Sequence, residues 1–222
     1  MSKKKYYLFQ LKTMELNVVS LILISLMFLI TIALEIPFDL SEIAFAITFA
    51  FMIPYFLLHE VLHSVSYVLN GARFKKVTYG AHLEKGVLCC LCKQNITRRN
   101  ILCSLLFPFV IIGVITYIIG ALTNNSVLIL LSIMNISGCS GDLMMFIALS
   151  QLKNYEYSEY DDPTSFGLYT NEDLSNKKFF GIKYVGTADR LDRDDLRKFD
   201  INAGNAIFLI LVALAGVVLL FL

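Results

Sequence analysis

The sequence predicts an all-α polytopic membrane protein with about five transmembrane helices and one small cytoplasmic β-hairpin. Three observations carry that expectation. The 222 residues are 57% hydrophobic and 17% charged, with a mean hydropathy of +0.67, whereas a soluble domain holds roughly a quarter charged residues. Five apolar runs approach the roughly 20 residues that cross a bilayer: Leu16–Ile36, Ile43–Leu69, Ile101–Leu122, Val127–Leu152 and Ala203–Leu222. The segments between them alternate between basic and non-basic, as the cytoplasmic preference of Lys and Arg requires. A net charge of +1 provides no basic field for nucleic acid, and no such partner is expected.

Residues 1–42 read as an N-terminal anchor span. Lys3, Lys4 and Lys5 precede its apolar run, but the run is too long for a signal peptide and no small-residue cleavage site follows. The turn "PFDLSE" has two acids and no basic residue. Core spans then occupy 43–152. Within them, Gly71–Asn100 carries Arg73, Lys75, Lys76, Lys85, Lys93, Arg98 and Arg99, while "TNNS" is uncharged. The 153–201 segment holds eight basic residues among many acids. Its charge pairs predict a solvated juxtamembrane helix serving as a cytoplasmic connector, with gating or docking of substrate as the alternative. The 202–222 span has no ionisable side chain and reads as an anchor or lateral packing element. The chain is thus expected to be a single membrane domain over 1–222, with its N-terminus cytoplasmic and its C-terminus outside.

The stretch "FKKVTYGAHLEKGVLCCLCKQNIT" reads as two short strands around Glu84-Lys85-Gly86. On the cytoplasmic side Cys89, Cys90 and Cys92 are expected to be thiols. Cys90-x-Cys92 has two readings, a metal-binding pair or small residues buried on a strand. The absence of a second ligand pair favours burial.

The functional signal is the charge inside the spans. Glu15, Glu35 and Glu42 lie at span ends, which leaves His59, Glu60 and His63 in the second span and Asp142 in the fourth. A central Asp costs roughly 2.5–3.5 kcal/mol on insertion scales, and no Lys or Arg accompanies these groups inside the spans. A cation compensates most simply. His59 and His63, at i and i+4, project from one helix face, with Glu60 about 100° round. This is the H-E-x-x-H arrangement of zinc peptidases. In a chain so poor in His and Glu, a chance match is expected on the order of once in a thousand sequences. Structural zinc sites are worth about 10–16 kcal/mol, enough to exceed the burial cost.

Catalytic zinc takes three protein ligands and an open position. Asp142 is the intramembrane candidate for the third. The motif and Asp142 each lie about ten residues before the cytoplasmic end of their spans, roughly 15 Å deep. His82, in the hairpin, is the alternative third ligand. Asn135, Cys139 and Asp142 fall on one face, with Gly138 and Gly141 admitting a close neighbour. Asn135 is read either as orienting a ligand or substrate backbone or as an interhelical hydrogen bond. Cys139 is read as a small packing residue, with ligation as the alternative, and Met144 and Met145 as lipid-facing or core.

The layout resembles the site-2 protease clan of intramembrane zinc peptidases: His59-Glu60-Val61-Leu62-His63 in one span, one intervening span, then the Asp142 span. It is more closely similar to a bacterial family of uncharacterised zincin-type membrane peptidases, through "YGAHLEKGVLCCLCKQNIT", Pro108, Asn135, Ser140-Gly141-Asp142 and "DDPTSFG". The resemblance covers roughly residues 50–170. It implies a three-helix core, a Zn2+ cofactor, a bacterial plasma membrane location and a membrane protein or membrane-associated peptide as substrate. One departure is that Asp142 follows Gly141 and precedes Leu143, whereas the better-known members have Asp-Gly and a nearby Asn-Pro. The expected activity is intramembrane peptide-bond hydrolysis, with zinc on His59, His63 and Asp142, an activated water as nucleophile, and Glu60 as general base. Metal binding or transport, and an inactive protease-like scaffold, are the rival readings.

Overall fold

The computed structural model describes residues 4–82, 87–159 and 164–188. Helix α1 (Thr13–Ala33) packs one half-buried face on α5 and α6 and exposes the other, with Thr31 its one buried residue. The Thr31 hydroxyl is satisfied by the Met27 carbonyl at 2.8 Å and the Tyr117 hydroxyl at 2.7 Å, as a polar group in an apolar layer must be. Helix α2 (Glu42–Leu69) starts at an N-cap Ser41, whose hydroxyl accepts the Ala44 N–H. Its 28 residues extend about 42 Å, beyond the roughly 30 Å of a hydrocarbon core.

A third long helix runs from Arg98 to Leu122. It consists of α3 (Arg98–Pro108), a π-helical segment (Phe109–Ile115) and α4 (Thr116–Leu122). Helices α5 (Ser126–Gly138) and α6 (Ser140–Ser150) form a pair bent by 46° at Cys139. Helix α5 is central and packs on α1, α2 and α4. Among the described residues, three helices are long and apolar enough to cross a membrane, and the bent pair makes a fourth if it counts as one span. The fifth run, Ala203–Leu222, lies outside the described residues, as does "DRLDRDDLRK".

The expected all-α class with five spans does not hold. A five-stranded antiparallel sheet, ordered β4-β5-β6-β1-β7, covers one end of the helices. It comprises β1 (Lys5–Leu11), β4 (Ile96–Thr97), β5 (Glu156–Glu159), β6 (Ser165–Thr170) and β7 (Ile182–Ala188). A strand, Lys5–Leu11, therefore precedes the first helix. The described residues of the expected juxtamembrane helix contain three strands, β5, β6 and β7. Alternation of aromatic residues outweighs charge pairing: Tyr7 and Phe9 on β1, Tyr157 on β5 and Phe166 and Leu168 on β6 are all buried. These side chains join Leu105 of α3 and Met144, Met145 and Leu149 of α6 in one continuous core. Both methionines are core residues.

The expected hairpin is present as β2 (Val77–His82) and β3 (Val87–Cys92), with Tyr79 opposite Cys90 and His82 opposite Val87. Cys90 and Cys92 are buried in the core and form no disulfide. Strand β1 leads into α1, β4 leads into α3 and β5 follows α6, so the sheet gathers three helix ends at one level.

Candidate metal centre

Helical periodicity puts His59 and His63 on one buried face of α2. Each ring is fixed by a different neighbour. His63 Nδ1 lies 3.0 Å from the Ser104 carbonyl of α3. A carbonyl only accepts, so Nδ1 carries the proton. His59 Nδ1 lies 2.9 Å from Asn135 Oδ1 of α5. The amide's orientation follows from its nitrogen, which donates to the Pro108 carbonyl at 3.4 Å and faces Cys139 Sγ at 3.7 Å. In the neutral form of each ring, with its proton on Nδ1, Nε2 is left as the acceptor that faces Asp142.

These Nε2 atoms are 3.1 Å apart. Asp142 Oδ2 lies 3.3 Å from that of His59 and 3.4 Å from that of His63. With both rings neutral, three acceptors converge at a buried point and none can satisfy another. A single proton bridges two acceptors, whereas a divalent ion meets all three. The spacing fits one: in a tetrahedral site with metal–ligand distances of about 2.0–2.1 Å, neighbouring ligands are about 3.3–3.4 Å apart. A second group also offers ligand atoms, since those of His59, Cys139 and Asp142 all lie within 4.8 Å of one another and can hold a metal ion.

Asp142 reaches this point because the helix breaks. Cys139 ends α5 and α6 begins at Ser140, which places Asp142 in the first turn of the new helix. The sequence reading of a single run over Val127–Leu152 did not contain that break. The Asp142 side chain remains 18% exposed, against 11% and 9% for those of His59 and His63.

The π-helical segment contributes from the other flank. It begins after Pro108, whose carbonyl receives the Asn135 amide. Gly113 within it allows α5 to approach: a Cβ there would sit 2.9 Å from Ile136 Cγ1 and 3.4 Å from Asn135 Nδ2. One turn away, the Tyr55 hydroxyl donates to the Ile112 carbonyl at 2.5 Å, and Thr116 Oγ1 lies 2.7 Å from both Tyr55 and Ser132. Single-turn π-helical insertions concentrate at functional sites. The sequence reading found neither this segment nor the Ser104 carbonyl, and a backbone carbonyl carries no residue-type signal.

Glu60 lies within electrostatic range of both imidazoles and Asp142, and its carboxylate accepts from the Cys90 backbone N–H of β3. The hairpin is held there by the Tyr79 hydroxyl, which donates to Ser64 Oγ at 2.5 Å; Ser64 in turn donates to the Val61 carbonyl. Burial pushes the Tyr79 hydroxyl up to about 12, so it stays a donor at neutral pH. His82 belongs to the backbone of β2, opposite Val87. Asn135, on α5, makes an interhelical hydrogen bond to His59 of α2.

Residues 52–157 match the model of a family described as "Putative zincin peptidase". No curated protein and no solved structure matches the chain. The matched segment contains His59, Glu60 and His63 as well as Asp142. The central part of this chain is therefore similar to a zincin-type metallopeptidase family, and the metal that this similarity suggests is zinc.

Proposed function

We propose that the protein is a zinc-dependent intramembrane metallopeptidase of the site-2 protease kind, cleaving peptide bonds of membrane or membrane-associated substrates in or near the bilayer. The observation that carries this reading is the convergence of His59 Nε2, His63 Nε2 and Asp142 Oδ2 within 3.4 Å, with both Nδ1 atoms already committed elsewhere. Outer hydrogen bonds of this kind fix the tautomer and orientation of metal-binding histidines. His59, His63 and Asp142 would hold the ion. Cys139 is the weaker third donor because its Sγ lies 3.9 Å from His59 Nδ1, the nitrogen whose proton goes to Asn135.

Zinc in such a site supplies Lewis acidity that brings the pKa of a water near 7 and polarises a carbonyl. The Glu60 carboxylate takes the proton of the attacking water and returns it to the leaving amine nitrogen. The Cys90 N–H holds that carboxylate beside the histidines. The apolar flanks of α2 and α5 exclude bulk water, and the water and the peptide would approach beside Asp142, the most exposed of the three donors. A helical substrate hides its carbonyls in its own hydrogen bonds, so it must unwind locally before attack. The sheet end of the helices is assigned to the cytoplasm by the basic residues gathered there.

Metal analysis of the full chain in detergent or nanodiscs tests the donor set. One zinc per chain is expected for wild type and for Cys139→Ser, with marked loss in Asp142→Asn and His63→Ala. Glu60→Gln should keep its zinc and cleave nothing, as read on a panel of single-span substrates. Zinc retained by Asp142→Asn but lost from Cys139→Ser would replace the assigned set with the cysteine one. Full cleavage by Glu60→Gln would remove the general-base role.

A further inference from the structure

Two short basic-aromatic segments at the sheet end stand outside the site, and only Phe179 among their side chains packs on the core. Arg73-Phe74-Lys75-Lys76 follows the end of α2 and contains the 3-10 turn Phe74–Lys76. Lys177-Lys178-Phe179-Phe180 precedes β7. Arg73, Lys75, Lys76, Lys177 and Lys178 are all exposed. Phe74 and Phe180 are 49% and 70% exposed, each close in sequence to basic residues. Neither 70–82 nor 174–188 contains an acidic residue. The described ion pairs involving lysine are Lys4–Glu156 and Lys12–Glu15, at other positions.

The level of these segments is fixed. The Lys12 N–H donates to the Gly181 carbonyl at 2.8 Å, and a Cβ on Gly181 would meet Met144 Cε at 2.0 Å and Glu15 Cβ at 3.2 Å. The 177–180 segment therefore rests on the first turn of α1 and on α6. The other segment lies just beyond Leu69, the last residue of α2, which is 73% exposed. Met14, in the first turn of α1, is 75% exposed. Both segments thus sit where the exposed apolar helix surface stops.

We infer that Arg73–Lys76 and Lys177–Phe180 are two headgroup-binding pads that seat the sheet end of the protein on anionic phospholipid. The phenylalanines enter the boundary between headgroups and acyl chains, and the lysines and arginine meet the lipid phosphates. Continuity with the lipid-facing helices selects the surrounding bilayer as the partner over an acidic protein. Each basic residue near an anionic leaflet is worth roughly fivefold in partitioning. The two pads stand at separate helix ends, the end of α2 and the start of α1, so together they fix the tilt of the sheet over the membrane.

The chain has no tryptophan, so Phe74→Trp and Phe180→Trp each create a single reporter at an exposed position. Full-length protein in nanodiscs of zwitterionic lipid, or of zwitterionic lipid mixed with phosphatidylglycerol, is examined with lipids brominated high on the acyl chain and with aqueous acrylamide. Both reporters should be quenched by bromine, roughly twofold or more in the anionic discs and less in the zwitterionic ones. Lys177→Glu with Lys178→Glu should relieve quenching of the Phe180→Trp reporter and leave the Phe74→Trp reporter unchanged. Hydrogen exchange on the unmodified chain should show residues 174–188 better protected in the anionic discs. Reporters open to acrylamide and untouched by bromine overturn the pads, and equal quenching in both lipids overturns the anionic preference. No readout depends on zinc or cleavage, so failure here leaves the proposed activity standing, and the converse holds.

Discussion

The two imidazoles look equivalent in the motif, yet the flanks that hold them differ in kind. On the α5 flank, His59 leans on a side chain, the Asn135 amide, which is itself held by the Pro108 carbonyl. On the α3 flank, His63 leans on the main-chain carbonyl of Ser104. The first anchor is a choice of residue and a substitution can remove it. The second is a property of helix position, and almost any residue at 104 would supply it. Sensitivity of the site to mutation should therefore be lopsided, concentrated on α5 and on whatever lets α5 come close.

Asn135→Ala should give the largest effect outside the donor set. It removes the acceptor of the His59 proton, and losses of this type weaken metal binding about 10- to 100-fold. Competition with a chromophoric zinc chelator reads it directly. Asn135→Asp keeps an acceptor at the same place and should recover most of the affinity. An unchanged affinity in Asn135→Ala would mean that His59 is oriented by helix packing alone, and the difference between flanks would vanish. Gly113→Ala acts one step further out. The added methyl must displace Ile136 or the α5 backbone, and overpacking of this kind costs about 1–3 kcal/mol. Its melting temperature in nanodiscs should fall, with a smaller loss of zinc affinity than in Asn135→Ala. Normal melting together with normal affinity would show that the π-helical segment yields freely.

A third flank offers an intermediate case. Tyr79→Phe removes the hydroxyl that ties the hairpin to Ser64, and net contributions of single hydrogen bonds are about 0.5–1.5 kcal/mol. The hairpin touches Glu60 through Cys90 and does not bear on the two histidines' Nδ1 atoms. Turnover should therefore drop severalfold while zinc affinity stays at the wild-type value. Parallel loss of zinc and turnover would place the hairpin among the metal's supports.

What the sequence disclosed follows the same division between local and remote. The pair His59 and His63 is legible because helix spacing alone sets their common face. Asp142 is legible because an unpaired carboxylate in an apolar run is costly wherever it lies, and its depth matched that of the motif. The sheet was illegible for the opposite reason. Strand β1 pairs with β6, so Lys5 meets Thr170 across most of the chain, and β4 consists of two residues. Short strands whose partners lie far away leave only aromatic alternation as a signal, and in 153–188 interspersed charges obscured it. The break at Cys139 was equally hidden: a bend inside a uniformly apolar run changes no hydropathy, although it sets where Asp142 begins its helix.

The smallest expected effect is also the sharpest test of the lopsided site. Ser104 is fully buried, and its hydroxyl lies 3.5 Å from the His63 carbonyl, too long to contribute much. Ser104→Ala keeps the carbonyl that receives the His63 proton and improves helix propensity slightly. Zinc affinity should change by less than about twofold, well below the 10- to 100-fold expected when a side-chain anchor is lost. A tenfold loss in Ser104→Ala would transfer the anchoring role to the hydroxyl. Both flanks would then depend on side chains, and the robustness assigned to the α3 flank would have no physical basis.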